Sequence, residues 1–163
     1  MNAHALFTAI AVLSTSAANA QAVDLSSPFA ASEAFYSALS TLDIAAMERV
    51  WAQTDDAIYV GPRSTNVAIG WEAVRAAWVA SNNSFISRSV ELTESHMAMN
   101  GDIAWEVGSE DTRSQRTGEM VTTDNRNLTA NVYQKIDGQW LIVSHVVHRV
   151  PETPPVTLMI SAP

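Results

Sequence analysis

The chain predicts an α+β domain, a cone-like curved antiparallel sheet packed on about three N-terminal helices. Two observations predict it. Apolar residues recur at helical spacing through the first half of the sequence, and from Ser89 onward the period changes to two. The second half is then punctuated by Asn100-Gly101 and Asp137-Gly138, pairs suited to type I′ hairpin turns because Asn, Asp and Gly tolerate positive φ. Helices followed by a run of strands imply segregated layers, with the sheet packing one face on the helices. At 163 residues the chain is long enough for one good core and too short for two ordinary domains.

Ser27-Pro28 reads as a helix start, the serine hydroxyl capping a free N–H and the proline sitting where no N–H is needed. Ala31, Phe35, Ala38, Leu39 and Leu42 mark the buried face of that helix. Asp43 caps a second, short helix carrying Ile44, Met47, Val50 and Trp51. Ala57 to Val60 reads as a short strand closed by Gly61-Pro62. A third helix opens after Gly70, with Trp71, Val74, Ala77, Trp78 and Ser81 along one side, and ends at Asn82-Asn83-Ser84. Four long strands follow as a meander, with Arg113 to Gly118 as the looser connection between its two hairpins.

A two-residue Asp137-Gly138 loop pairs Ile136 with Gln139 and, counted without interruption, Val132 with Val143 and Ala130 with His145. One face then carries Leu128, Ala130, Val132, Leu141, Val143, His145 and Val147, and this nearly apolar set is expected on the concave, core side. The other carries Asn127, Thr129, Asn131, Tyr133, Trp140, Ile142, Ser144, Val146 and His148, a mixture suited to an outer face that is solvated or covered by a second subunit. Val132 and Val143 thereby become expected ligand-binding residues, and the outer face an expected homodimer surface.

The formal net charge is −8 and the nine Lys and Arg are scattered along the sequence, which argues against a nucleic-acid partner. There is no cysteine, so disulfides and thiolate chemistry are excluded. Residues 1–20 carry no charged side chain, hold an apolar run from Ala5 to Leu13 and finish in Ala18-Asn19-Ala20, the pattern of a signal peptide cleaved near Ala20. That run is shorter than the ~20 apolar residues a membrane span needs. The expected organisation is a signal peptide at 1–20, a linker at 21–27, the domain at 28–151 and an irregular tail at 152–163, with a periplasmic or secreted destination.

His145 is the leading catalytic candidate, since an imidazole facing a mostly apolar cavity can bond a ligand hydroxyl or carbonyl and move a proton. Tyr59 shares strand parity with Gly61 and offers a phenolic proton. Trp51, Trp78 and Trp105 are core residues first, and a cavity walled by indoles suits a small apolar or aromatic ligand. No metal is expected, because His145 and His148 are three apart on a strand and point to opposite faces; no cofactor is expected either. The paired carboxylates Asp55-Asp56 and Glu110-Asp111 diverge on a strand and read as solvated.

The helix running into Asp43, Asp55-Asp56-Ala57 before Gly61-Pro62, Gly70-Trp71-Glu72-Ala73-Val74, and Asn131-Val132-Tyr133 with Asp137-Gly138-Gln139-Trp140-Leu141-Ile142-Val143-Ser144-His145 together resemble a SnoaL-like domain of the nuclear transport factor 2-like superfamily. The resemblance spans roughly Pro28 to Pro151. It implies a cone fold shared by ketosteroid isomerase, limonene epoxide hydrolase, scytalone dehydratase, polyketide cyclases and non-catalytic binding or assembly modules. It also implies that the isomerase's oxyanion-donating tyrosine falls on Phe35 and its aspartate base on Gly61, so neither chemical group is present. The epoxide hydrolase's inward aspartate falls on His145. Trp51, Tyr59 and Trp78 fall where those enzymes line the cavity. The expected function is a cofactor-independent isomerase, dehydratase or lyase, the alternative a non-catalytic ligand-binding or dimeric assembly module.

Overall fold

The computed structural model describes residues 22–151, so the expected signal peptide and the expected tail lie outside the described residues. Helix α1 (Pro28–Thr41) begins where Ser27 Oγ accepts the N–H of Ala30 with Pro28 in the first turn, and it ends at Leu42 in the left-handed region. Asp43 caps α2 (Ile44–Val50) through its bond from Ala45 N–H. Strands β1 (Ile58–Val60) and β2 (Ala68–Ile69) pair antiparallel, and α3 (Trp71–Asn82) follows Gly70. The meander is β3 (Phe85–Asn100), β4 (Ile103–Arg116), β5 (Thr122–Ile136) and β6 (Gln139–Arg149). The six strands form one curved, unclosed, mixed sheet in the order β2-β1-β6-β5-β4-β3, with β1 parallel to β6 and every other pair antiparallel. The expected α+β cone is the observed fold. The two-residue β2 escaped the sequence reading.

The Asp137-Gly138 hairpin has the expected register, Ile136 opposite Gln139, with both turn residues at positive φ. Pairing does not continue uninterrupted. Tyr133 faces Ile142, but Val132 faces Ser144, so Val143 is an extra residue in β6. A bulge of this kind shifts every later pair by one and bends the strand. It overturns the expected faces. Trp140 and Ile142 before the bulge and His145 and Val147 after it all point inward. On β5 the inward set is Asn127, Thr129, Asn131 and Tyr133, whereas Leu128 is 51% exposed on the convex side. Val132 and Val143 are half-buried on that convex side, outside the lining of the cavity that His145 borders. The first hairpin departs as well, because Asn100 pairs with Ile103 and the loop residues are Gly101 and Asp102. Trp105 is therefore opposite Ala98, on the convex face and 44% exposed, not in the core or the cavity wall; His96 faces Val107.

The concave face changes character along its length. At the Asp137-Gly138 end, Ala104, Tyr133, Trp140 and Ile142 join Phe35, Leu39, Met47, Val50 and Trp51 in the core, and Trp140 N–H bonds the carbonyl of Leu25. Toward the other end the inward positions are His145, Glu106, Glu110, Asn131, Asn127 and Ser114, all buried polar groups. The cone is sealed with apolar side chains at one end. At the other it opens into a cavity that these polar groups and an aromatic wall share.

Candidate functional site

One cross-strand row sets the centre of the site. Glu106, Asn131, His145 and Tyr59 are successive partners across β4, β5, β6 and β1, so their side chains share the concave face. Asn131 joins the row to helix α1. Its amide NH2 donates to Tyr36 Oη at 2.9 Å and to Glu106 Oε2 at 3.3 Å, which fixes its Oδ1 toward His145 Nδ1 at 2.7 Å. An amide oxygen only accepts, so the proton of the neutral imidazole sits on Nδ1 and the lone pair is on Nε2. Glu106 Oε2 also accepts from Ser32 and Tyr133.

His145 Nε2 lies 3.8 Å from Glu110 Oε1, beyond a direct hydrogen bond. Glu110 is 3% exposed and accepts from the Tyr36 hydroxyl at 3.0 Å. Burial acts on both groups in the same sense, toward the neutral form. It raises the Glu110 carboxyl above its ordinary value, against the opposing pull of the Tyr36 and Thr129 hydroxyls and of Arg88. It lowers the His145 imidazole to about 3, helped by the Arg88 charge. Burial and Glu110 likewise push the Tyr36 phenol far up, and burial pushes Tyr59 to about 12.

Tyr59, Arg88, Glu110 and His145 border a cavity of about 540 Å³, a size ordinary for small-molecule sites. One wall is aromatic: Tyr59 and Trp78 have centroids 4.3 Å apart, and Trp78 stacks on His145 at 5.9 Å. The other carries hydrogen-bonding groups, Arg88, Glu110, Thr112, Ser114, Asn125 and Asn127. Of the candidates read from the sequence, His145, Tyr59 and Trp78 come together at this cavity. Trp51 is buried in the core beside Trp78, centroids 6.3 Å apart, without lining the cavity. Gly61 packs directly against Tyr59, whose hydroxyl occupies the space a Cβ would need. Phe35 meets His145 edge-on at 4.8 Å, while its neighbour Tyr36 turns its hydroxyl into the network.

Glu110, Asn131, Tyr36, Glu106 and Arg88 were not among the expected site residues. Glu110 and Asp111 do diverge, but the inward member is buried, not solvated. The signal was the run of hydrogen-bonding residues at period two on β4 and β5, Glu106 with Glu110 and Asn127, Thr129, Asn131 and Tyr133. His148 is exposed on the face opposite His145. Among the described residues no three His, Cys, Asp or Glu gather as a metal-binding cluster, and no helix is long and apolar enough to cross a membrane.

Comparison with known proteins gives a consistent lineage. The family model for the SnoaL-like domain matches residues 30–148. A nuclear transport factor 2-like superfamily protein from Salmonella enterica serovar Typhimurium is 14% identical, with TM-score 0.69 over 78% of this chain and 91% of that one. A candidate dehydratase of the same superfamily from Streptomyces avermitilis is 20% identical, with TM-score 0.67 over 74% and 92% of the two chains. A ketosteroid isomerase-like protein from Erwinia carotovora atroseptica is 19% identical, with TM-score 0.65 over 78% and 96%. At these identities the likeness shows the fold. No curated protein matches the chain significantly.

Proposed function

The chain belongs to the SnoaL-like domain family, and we propose that it is a cofactor-independent acid–base enzyme, an isomerase, dehydratase or lyase, acting on a small ring-containing molecule. The observation that carries this is the His145–Glu110 pair at the cavity, with the Nε2 lone pair and Glu110 Oε1 3.8 Å apart. A ligand oxygen set off the line between them reaches both at about 2.8 Å, within hydrogen-bond range. With an imidazole lowered to about 3, His145 is a neutral acceptor for a ligand hydroxyl. Glu110, its carboxyl raised above the ordinary value by burial, is the proton carrier of the pair, able to give a proton to the ligand oxygen and take one back. Tyr36 holds that carboxyl through its hydroxyl, and Tyr59 with Trp78 offers an aromatic wall to the ring. The dehydratase and isomerase-like names among the structural neighbours agree with this class of chemistry.

The test is a panel of cyclic hydroxy and keto compounds followed by NMR in D2O for water loss, isomerisation or deuterium incorporation. Glu110→Gln is expected to lower turnover about 100-fold while binding persists. Turnover that survives Glu110→Gln would remove Glu110 from the reaction.

A second part of the reading concerns assembly. Ile103, Trp105, Val107, Leu128 and Val146 are exposed on the convex side, an apolar surface of the kind that marks protein contacts. We assign it to a homodimer; sedimentation should show a dimer that Trp105→Arg weakens, and a wild-type monomer would dismiss it. Export, with cleavage near Ala20, belongs to the same reading and rests on the apolar run and small-residue motif of residues 5–20. N-terminal sequencing of the exported chain decides it, Gln21 being the expected first residue and an intact leader the contrary result.

A further inference from the structure

Four of the nine Lys and Arg line this 540 Å³ cavity: Arg63, Arg88, Arg116 and Arg149. In a chain of net charge −8 this is a concentration of positive charge against the overall balance, and it is opposed there by Glu119 and by a Glu110 that burial moves toward its neutral form. Arg116 is paired with Glu119 at 3.9 Å, and Arg149 donates to Asn125 Oδ1 at 2.9 Å.

Arg88 is different in kind. It is held by three neutral acceptors, the Leu39 carbonyl at 2.7 Å, Ser81 Oγ at 3.2 Å and Asn82 Oδ1 at 2.9 Å. Among the described residues no carboxylate comes within 4.0 Å of its nitrogens. Burial lowers it to about 10, so it remains a cation at neutral pH. A largely buried guanidinium without a counter-charge is costly to hold. Each of its two terminal nitrogens still has an N–H to give, in the fork that suits a carboxylate. Its charge lies 6.0 Å from the Trp78 ring, which also packs against Tyr59 and His145. The guanidinium and His145 therefore flank the same indole, with Glu110 beside them in the cavity lining.

We propose that the ligand of this cavity is anionic, a small ring-bearing carboxylate whose carboxylate is bound by Arg88 while its ring lies along Trp78 and Tyr59 toward His145 and Glu110. This deepens the proposed function and rests on it, naming the substrate class for the same site. Arg116 and Arg149 stand at the polar wall as further positive charge that favours entry of an anion.

Matched probes test it: benzoate and 2-naphthoate against benzamide and 2-naphthamide, titrated calorimetrically into the whole chain at low and at moderate salt. The carboxylates are expected to bind about tenfold or more tightly than their amides, with the preference shrinking as salt rises. Arg88→Gln is expected to bring the two members of each pair to equal affinity while the amides bind as before. Amides that bind as well as the carboxylates to the wild-type chain would overturn the anion assignment and leave the acid–base cavity standing. A wild-type chain that binds neither member would overturn the cavity reading itself and this inference with it. A folded Arg88→Gln that keeps the carboxylate preference would overturn the role of Arg88. Should that variant fail to fold, the wild-type comparison alone decides, since it needs no substitution.

Discussion

Acidifying the solution from neutrality should unfold this domain partly through His145, and replacing that residue should remove this part of the pH dependence. The imidazole is fully buried and its proton affinity drops from the ordinary 6.5 to about 3. The unfolded chain therefore binds a proton that the native state refuses over that window, and stability rises with pH between about 3 and 6.5. Stability contributed by a neutral His145 is present above 6.5 and is lost progressively below it. Each pH unit in the window corresponds to about 1.4 kcal/mol, so moving from pH 6.5 to 4.5 should cost on the order of 3 kcal/mol at this one residue. Glu110 has the opposite sign, because its raised carboxyl binds a proton more readily in the native state, and stability is lost as pH rises through its folded value. The assay is urea unfolding followed by tryptophan fluorescence at pH 7, 5.5 and 4.5, for the wild type and for His145→Gln. All other titrating groups largely cancel in the difference. The wild type should lose about 3 kcal/mol more than the variant over the range. Parallel pH dependences in the two proteins would refute the picture of a desolvated, neutral imidazole.

Two further outcomes follow from contacts around the site. Asn131→Ala removes the acceptor for His145 Nδ1 and the donor to Tyr36 and Glu106, leaving buried groups unpaired, and should cost about 3 kcal/mol; chemical denaturation measures it, and a loss below about 1 kcal/mol would show that the amide is not the hub of the network. Gly61→Ala places a methyl where the Tyr59 hydroxyl sits, and should displace that ring from the cavity wall at a cost of about 1–3 kcal/mol; a crystal structure of the variant with Tyr59 unmoved would count against the close fit.

Much of the architecture was legible from local chemistry. The Ser27-Pro28 start, the Asp43 cap and the Asp137-Gly138 turn each rest on a single residue's conformational or hydrogen-bonding preference, and each is where the spacing predicts it. The faces of the last hairpin were not legible, because a bulge at Val143 adds one residue without a glycine to mark it, and one residue exchanges the two sides of a strand. The hydrophobic pattern compounded the misreading. On β4 the apolar residues Ile103, Trp105 and Val107 take the convex side, and Glu106 and Glu110 the concave one. Apolar-inward reasoning therefore selects the wrong face wherever the interior is a polar site and the exterior is apolar. His145 was placed correctly because it lies beyond the bulge, and Glu110 was missed because beside Asp111 it reads as a solvated carboxylate, with no hint of the hydroxyl that will meet it. Only the fold brings Tyr36 of α1 within 3.0 Å of Glu110 of β4.

The central claim is a neutral His145 whose proton is on Nδ1 and whose Nε2 lone pair faces Glu110. Nitrogen-15 NMR of the imidazole, assigned by comparison with His145→Gln and followed from pH 8 to pH 4, reads that state directly. The account predicts a protonated, pyrrole-like Nδ1 and an unprotonated, pyridine-like Nε2, both unchanged across that range. A proton on Nε2 in place of Nδ1, or an imidazolium forming near pH 6, would contradict it.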